Sequence, residues 1–235
     1  MKGYLLFLII ILSAVTLAAQ EQNPETVSKV KELSEFHGVI YKLWHIAWPK
    51  KDIRMLAELL PEIESGAERV KDAELPGILR EKKGRWAAGV IGLMSSVESY
   101  KDAISRKDSS AIIQSAELLH GKYEGLVRII KPVIKEVDQF HQELYILYHY
   151  YMPGNNIEKI ITSAKNLGVK ITDLEKANLP EKFASKKNEF NNAVQSLKLY
   201  INKLNMVINS KNENEIKTAI ISVHSEYQAL ENIFE

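Results

Sequence analysis

The residues of this chain best suited to chemistry are its histidines, which recur at a fixed spacing. Each histidine of the first half has a counterpart 104 residues later: His37 with His141, His45 with His149, and His120 with His224. Neutral imidazole is a good ligand for iron, copper, zinc or nickel. Surface histidines drift during divergence, so the shared offset indicates a common cause for their positions.

The same offset aligns most of the chain with itself. Leu75-Pro76, for example, aligns with Leu179-Pro180 without any gap in the register. Clusters of Pro, Gly, Asn and Asp divide each copy into four helical stretches, which we call A to D and A′ to D′. The predicted helices cover about 25–48, 51–72, 76–106 and 109–130 in the first copy, and about 132–152, 156–176, 180–210 and 214–234 in the second.

These helices predict the fold class and the domain organisation. Short connections between long helices favour antiparallel neighbours, so we predict an all-α fold of two tandem up-down-up-down four-helix bundles. Residues 1–20 are interpreted as a signal peptide, 21–131 as the first bundle and 132–235 as the second. Strands have little support, because few β-branched residues alternate with period two.

Bundle geometry predicts which histidines face each other. In an up-down-up-down bundle helix A ends where helix D begins, and both rise about 1.5 Å per residue. His37 lies eleven residues before the predicted end of A, and His120 lies eleven residues after the predicted start of D. We therefore expect His37 to face His120 at one level and His141 to face His224. These four histidines are the predicted cofactor ligands.

The remaining pair, His45 and His149, lies at a different height. Each is eight residues beyond the first histidine of its helix, which is roughly 12 Å along the axis. One ion cannot be shared over that distance. Two interpretations stay open: a histidine that interacts with the last carbonyls of its helix, or a metal ligand at the end of the bundle.

Small residues also recur near the predicted ligands. Gly89 aligns with Ala193, and Gly121 aligns with Ser225. They leave room for a planar ligand between helices, or they let the helices pack closely, and the sequence does not decide between these interpretations.

The first residues predict export. Lys2 precedes an apolar run over residues 4–12, and small residues follow through Ala18-Ala19. This is the three-part pattern of a secretory signal peptide, and the run is shorter than the roughly 20 residues that span a bilayer. We expect cleavage near Ala19 or Gln20, and a periplasmic or secreted chain that is not membrane-embedded.

Composition argues against several classes of function. The chain has no cysteine, which removes disulfides, thiolate metal sites and covalent haem attachment. Its net charge is +1 with no basic block, so nucleic acid is not an expected partner. Neither a Gly-rich phosphate loop nor a His-Glu-x-x-His motif is present. The repeated Glu-x-x-His pairs of di-iron bundles are also missing, because Ser34 precedes His37 at that spacing, and Glu117, which precedes His120, aligns with Ile221. We therefore do not expect an enzyme.

The pattern resembles small exported haem-binding bundles, namely the soluble b-type cytochrome bundle and the cytochrome c-prime group. The resemblance rests on the exported four-helix unit and on a last-helix histidine followed by tyrosine, in His120-Gly-Lys-Tyr123 and His224-Ser-Glu-Tyr227. In the b-type bundle that histidine and a first-helix methionine hold the haem iron. The resemblance implies haem b held here by His37 with His120, and by His141 with His224.

Two hypotheses of function follow. In the first, the chain is an exported non-enzymatic protein that holds haem b or a transition-metal ion between the first and last helices of each bundle. It would then serve electron transfer or metal handling, with a redox or metal-delivery protein as partner. In the second, the bundles form a binding, sensing or interaction module without a cofactor, and the histidines are packed core residues.

Overall fold

The structure is a computed structural model that describes residues 23–210 and 212–234. All regular secondary structure in these two ranges is helical and no strand is present, which confirms the all-α prediction. The signal peptide predicted at residues 1–20 lies outside the described residues. Within the described part of the chain, no helix combines the length and apolar character that a bilayer crossing requires.

The helices follow the chain in a regular order. The α-helices are α1 (Lys31–Tyr41), α2 (Ile53–Glu58), α3 (Leu60–Lys71), α4 (Lys83–Ser105), α5 (Ser109–Ile130), α6 (Lys135–Ile146), α7 (Ile157–Lys176), α8 (Lys187–Val207) and α9 (Glu213–Asn232). Short 3-10 segments cover Pro24–Thr26, Gly77–Lys82, Glu181–Lys186 and Ile208–Ser210, and π-helical segments cover Lys42–Ala47 and Leu147–Tyr151.

Polar side chains set the start of four of these helices. Asp52, Asp108, Asn156 and Asn212 each precede a helix, and each side chain accepts a hydrogen bond from a backbone N–H of the first turn. Such a cap contributes about 1 kcal/mol by satisfying a donor that the helix itself leaves unpaired.

The prediction of one helix over residues 51–72 is wrong, because α2 and α3 are separate and Leu59 lies between them. Pro61 occupies the first turn of α3. Proline has no N–H to continue the ladder from α2, and its ring collides with the preceding turn. Lys165 stands at the aligned position of the second half, and α7 is continuous there.

Packing divides the apolar side chains into two buried clusters. In the first half α1 packs on α3, α3 on α4, and α4 on α5; in the second half α6 packs on α7, α7 on α8, and α8 on α9. The first cluster runs from Val30 to Ile130 and includes Tyr145 of α6. The second runs from Val137 to Leu230. Tyr145 therefore marks the place where the second half meets the first.

Both α1 and α6 continue into a π-helical turn that contains a histidine. His45 lies within Lys42–Ala47, and His149 lies within Leu147–Tyr151. The wider turns are closed by backbone bonds between residues five apart, such as that from Met152 N–H to the Leu147 carbonyl at 2.9 Å. Such turns are rare in proteins overall, and those that occur are often found at functional sites.

Candidate metal centre

His37 and His120 are offset by about one helical turn from the shared level that the sequence predicted for them. The Tyr123 hydroxyl is 3.2 Å from His37 Nδ1, whereas the His120 ring stacks on Trp44 at 4.1 Å between centroids. The cause is at the end of the bundle, where the Trp48 indole N–H donates to the Ile113 carbonyl at 3.3 Å. Helix A thus ends level with the second turn of α5, not with its first residue.

The same displacement is found in the second half. The His141 ring stacks on Tyr227 at 4.5 Å, and the His224 ring stacks on Tyr148 at 3.9 Å. His224 thus lies level with the π-helical turn that holds His149, with ring centroids 6.1 Å apart, and it also lies close enough to His141 for its charge to act on that ring.

Three potential metal ligands converge at this level. Glu81, His149 and His224 each offer one ligand atom, and these atoms all lie within 4.8 Å of one another. His224 Nε2 donates to Glu81 Oε1 at 3.0 Å. The two imidazole rings are nearly perpendicular, with centroids 6.1 Å apart. The cluster joins the two halves, because Glu81 belongs to the first and both histidines belong to the second.

The Gly77–Lys82 segment that presents Glu81 is fixed at its first residue. Gly77 N–H donates to Glu25 Oε2 at 2.8 Å, and a β-carbon at residue 77 would overlap the Tyr145 hydroxyl. Only glycine lets the segment approach α6 so closely.

The other end of the segment is fixed by an ion pair between the halves. Lys82 Nζ is 2.9 Å from Glu231 Oε1, and both side chains are largely buried, at 12% and 15% exposure. Burial strengthens the attraction between the two charges, because water screens it less, and it also costs both groups their hydration.

His149 is oriented by an arginine of the same segment. Arg80 Nη1 is 3.1 Å from His149 Nδ1, and Arg80 Nη2 donates to the Tyr145 hydroxyl at 2.5 Å. A guanidinium has donors only, so Nδ1 is the acceptor and a neutral His149 carries its proton on Nε2.

The surroundings of Glu81 and His149 shift the pKa values of both groups. The hydrogen bond from His224 lowers the pKa of Glu81 to about 2, with a further contribution from Gln228. Burial lowers the pKa of His149 to about 4, and the charge of Arg80 acts in the same direction. At neutral pH Glu81 is therefore a carboxylate and His149 is a neutral imidazole, the charge states that ligate metals, while Arg80 occupies the unprotonated Nδ1 of His149.

Two imidazoles and one carboxylate form a recognised donor set. Zinc takes two histidines and a glutamate in catalytic sites with an open fourth position, and non-haem iron takes two histidines and a carboxylate. The Glu81 side chain is 29% exposed whereas that of His224 is 8% exposed, so solvent reaches the cluster from the carboxylate side. Arg80 opposes a cation here through its charge and its bond to His149.

The remaining predicted ligands lie outside this cluster. Among the described residues, no group of three or more potential ligands includes His37, His45, His120 or His141. His37 and His45 are exposed. His141 is buried, and burial lowers its pKa to about 4. That any of these four binds a cofactor stays a prediction.

The cavity beside His141 is small. His141 and Tyr227 line a cavity of about 60 Å³ between the halves, which is the scale of a few water molecules. In the first half a β-carbon at Gly89 would lie 2.7 Å from Leu126 Cδ2. Gly89 therefore serves the close packing of α4 on α5, which was one of its two interpretations.

Sequence reasoning missed Arg80 and Glu81, because it searched for residues that repeat. Their aligned positions in the second half hold Ala184 and Ser185. The sequence did contain a signal for them. Arg80 and Glu81 are charged in one copy and replaced by uncharged residues in the other, beside a lysine pair that both copies keep.

Comparison of the chain with protein-family models, with curated proteins and with solved structures found no match. The resemblance to haem-binding bundles stays a prediction that rests on the residues quoted for it.

Proposed function

We propose that this chain is an exported, non-enzymatic protein that binds one transition-metal ion between Glu81, His149 and His224. The observation that carries the proposal is the convergence of three ligand atoms within 4.8 Å. They come from segments far apart in sequence and are held by contacts between the halves. The role that fits is metal capture or delivery outside the cytoplasm, with a metal-delivery protein as partner.

The site favours a metal ion over haem b. A metal ion takes the place of the proton between His224 Nε2 and Glu81 Oε1, now 3.0 Å apart, with a modest shift of Arg80. Haem between His141 and His224 would need the Tyr227 ring to leave its stack and the small cavity beside it to expand. The His224 imidazole stays neutral as the ion binds, because its proton moves from Nε2 to Nδ1, and Arg80 must turn away from His149 Nδ1 so that His149 can present an unprotonated nitrogen.

The arrangement in two tandem bundles is part of the proposal and is supported by the positions of the helices. The first, second and last main helices of each half begin 104 residues apart: α1 and α6 at Lys31 and Lys135, α2 and α7 at Ile53 and Ile157, and α5 and α9 at Ser109 and Glu213. The caps at Asp52 and Asn156 have the same spacing.

The test is a titration of the metal-free chain with Zn²⁺, Co²⁺, Ni²⁺ and Cu²⁺, followed by calorimetry and, for Co²⁺, by visible absorbance. We expect one ion per chain, and at least a tenfold loss of affinity for His224→Ala and for Glu81→Gln. His120→Ala is the matched control, because His120 occupies the aligned position in the first half. Affinities that do not distinguish His224→Ala from His120→Ala would exclude the site.

Titration with hemin tests the competing cofactor. A Soret band that shifts on binding and disappears in His141→Ala would favour haem over a metal ion. We expect no saturable haem binding.

A further inference from the structure

One of the surfaces by which the second half contacts the first consists of Tyr145, His149 and His224, and we call it the docking face. Its ligand is the Gly77–Lys82 segment. Arg80 bonds to Tyr145 and His149, and Glu81 accepts from His224. These contacts do not require a metal ion.

The first half carries an aligned surface, which we call the open face: Tyr41, His45 and His120. Its rings have the geometry of the docking face. Tyr41 and His45 have centroids 4.8 Å apart at 40° between planes, against 4.7 Å and 48° for Tyr145 and His149.

The stacked histidines correspond as well. His120 stacks on Trp44 at 4.1 Å and 5° between planes, and His224 stacks on Tyr148 at 3.9 Å and 13°. The open face therefore repeats these two ring contacts of the docking face without a bound segment, whereas the contact between His149 and His224, at 6.1 Å between centroids, has no counterpart between His45 and His120 among the described residues.

The two faces differ in their coverage. Tyr145 is 1% exposed whereas Tyr41 is 49% exposed, and His45 is exposed whereas His149 is half-buried. Within the described ranges, the side chains of Tyr41, His45 and His120 make no hydrogen bond, although each carries a donor and an acceptor. A preformed set of unused donors and acceptors costs little reorganisation on binding.

We propose that the open face binds a segment of another protein that presents an arginine followed by a glutamate on a 3-10 turn. The guanidinium donates to His45 Nδ1 and to the Tyr41 hydroxyl, and the carboxylate accepts from His120. Val127 stands where Glu231 pairs with Lys82 in the second half. The partner segment therefore needs no lysine after its glutamate.

The chemistry of this chain argues against its own segments as the occupant. A second copy would offer Ala184 and Ser185 at the positions of Arg80 and Glu81, and its own Arg80 and Glu81 are already engaged. Residues 1–22 contain no arginine. The occupant is therefore a partner protein.

The probe for this test is a synthetic peptide with the sequence of residues 74–84, added to the full chain. The matched control peptide has alanine and serine in place of the arginine and the glutamate, as in the second half. We expect the first peptide to shift the imidazole NMR signals of His45 and His120 and to bind at least tenfold more tightly than the control. Tyr41→Phe and His45→Ala should each weaken that binding without loss of fold, because both side chains are exposed.

Three results would overturn the inference. They are equal affinity of the two peptides, shifts confined to His149 and His224, or no shift at His45 and His120 at millimolar peptide. A dimer of the chain that His45→Ala dissociates would show instead that a second copy occupies the open face.

Discussion

The two halves of the molecule carry the same stacked rings but differ in what covers them. The rings of the second half contact Arg80 and Glu81 of the first half, and Glu81 completes a cluster of ligand atoms with His149 and His224. In the first half Tyr41 and His45 are exposed, and the residues aligned with Arg80 and Glu81 are Ala184 and Ser185, which cannot make the same contacts. A repeated histidine is therefore not a repeated site, because the neighbours of each ring decide what its nitrogens can do.

Burial extends the contrast to ionisation. His141 and His149 both have pKa values lowered to about 4, and burial is the main cause for each. In the first half burial also lowers the pKa of His120. The second half thus contains both histidines whose pKa is lowered to about 4.

Acid should reveal this contrast as the largest effect on stability. The unfolded chain protonates its histidines near pH 6.5, whereas His141 stays neutral in the folded chain until about pH 4. The unfolded state therefore binds more protons between these values, and stability falls as the pH is lowered through that window. We expect a loss of about 3 kcal/mol from His141, to which His149 adds in the same direction. Urea unfolding at pH 7 and pH 4 measures it.

The control for this prediction replaces one ring at a time. His141→Phe keeps a ring against Tyr227 but cannot titrate, so its stability should depend less on pH. His37→Phe, on the exposed ring of the first half, should keep the slope of the unaltered chain. Equal slopes for both variants would show that the contrast in burial does not govern acid stability.

Gly77→Ala should give a smaller loss. The added β-carbon overlaps the Tyr145 hydroxyl, so the segment that carries Arg80 and Glu81 must move away from the docking face. Overpacking of this kind costs about 1–3 kcal/mol. Nothing lies within 4 Å of a β-carbon at Gly84, so Gly84→Ala should be neutral or stabilising by up to about 1 kcal/mol, which reflects helix propensity alone. Thermal or urea unfolding that ranks the two variants equally would contradict the close approach.

The sequence predicted what depends on local chemistry. Asp108 and Asn212 begin α5 and α9 because their side chains cap the first turn, and that signal can be read from a few neighbouring residues. The helical class and the start of most helices follow from such signals and from apolar periodicity.

What the sequence did not predict depends on contacts between distant segments. The level of His120 depends on where Trp48 meets α5, and this contact places His120 against Trp44, as His224 is placed against Tyr148 in the second half. Glu81 could not be chosen by a search for repeats, because its role comes from the contact of one half with the other.

The most direct test of the proposed function is the number of metal ions bound by two double variants, measured by native mass spectrometry after equilibration with Zn²⁺. The variant with His149 and His224 replaced by Ala should bind no ion at the site. The variant with His45 and His120 replaced by Ala should retain one ion per chain, because its Glu81 cluster is intact. Retention of the ion by the first variant, or its loss from the second, would contradict a metal centre at Glu81, His149 and His224.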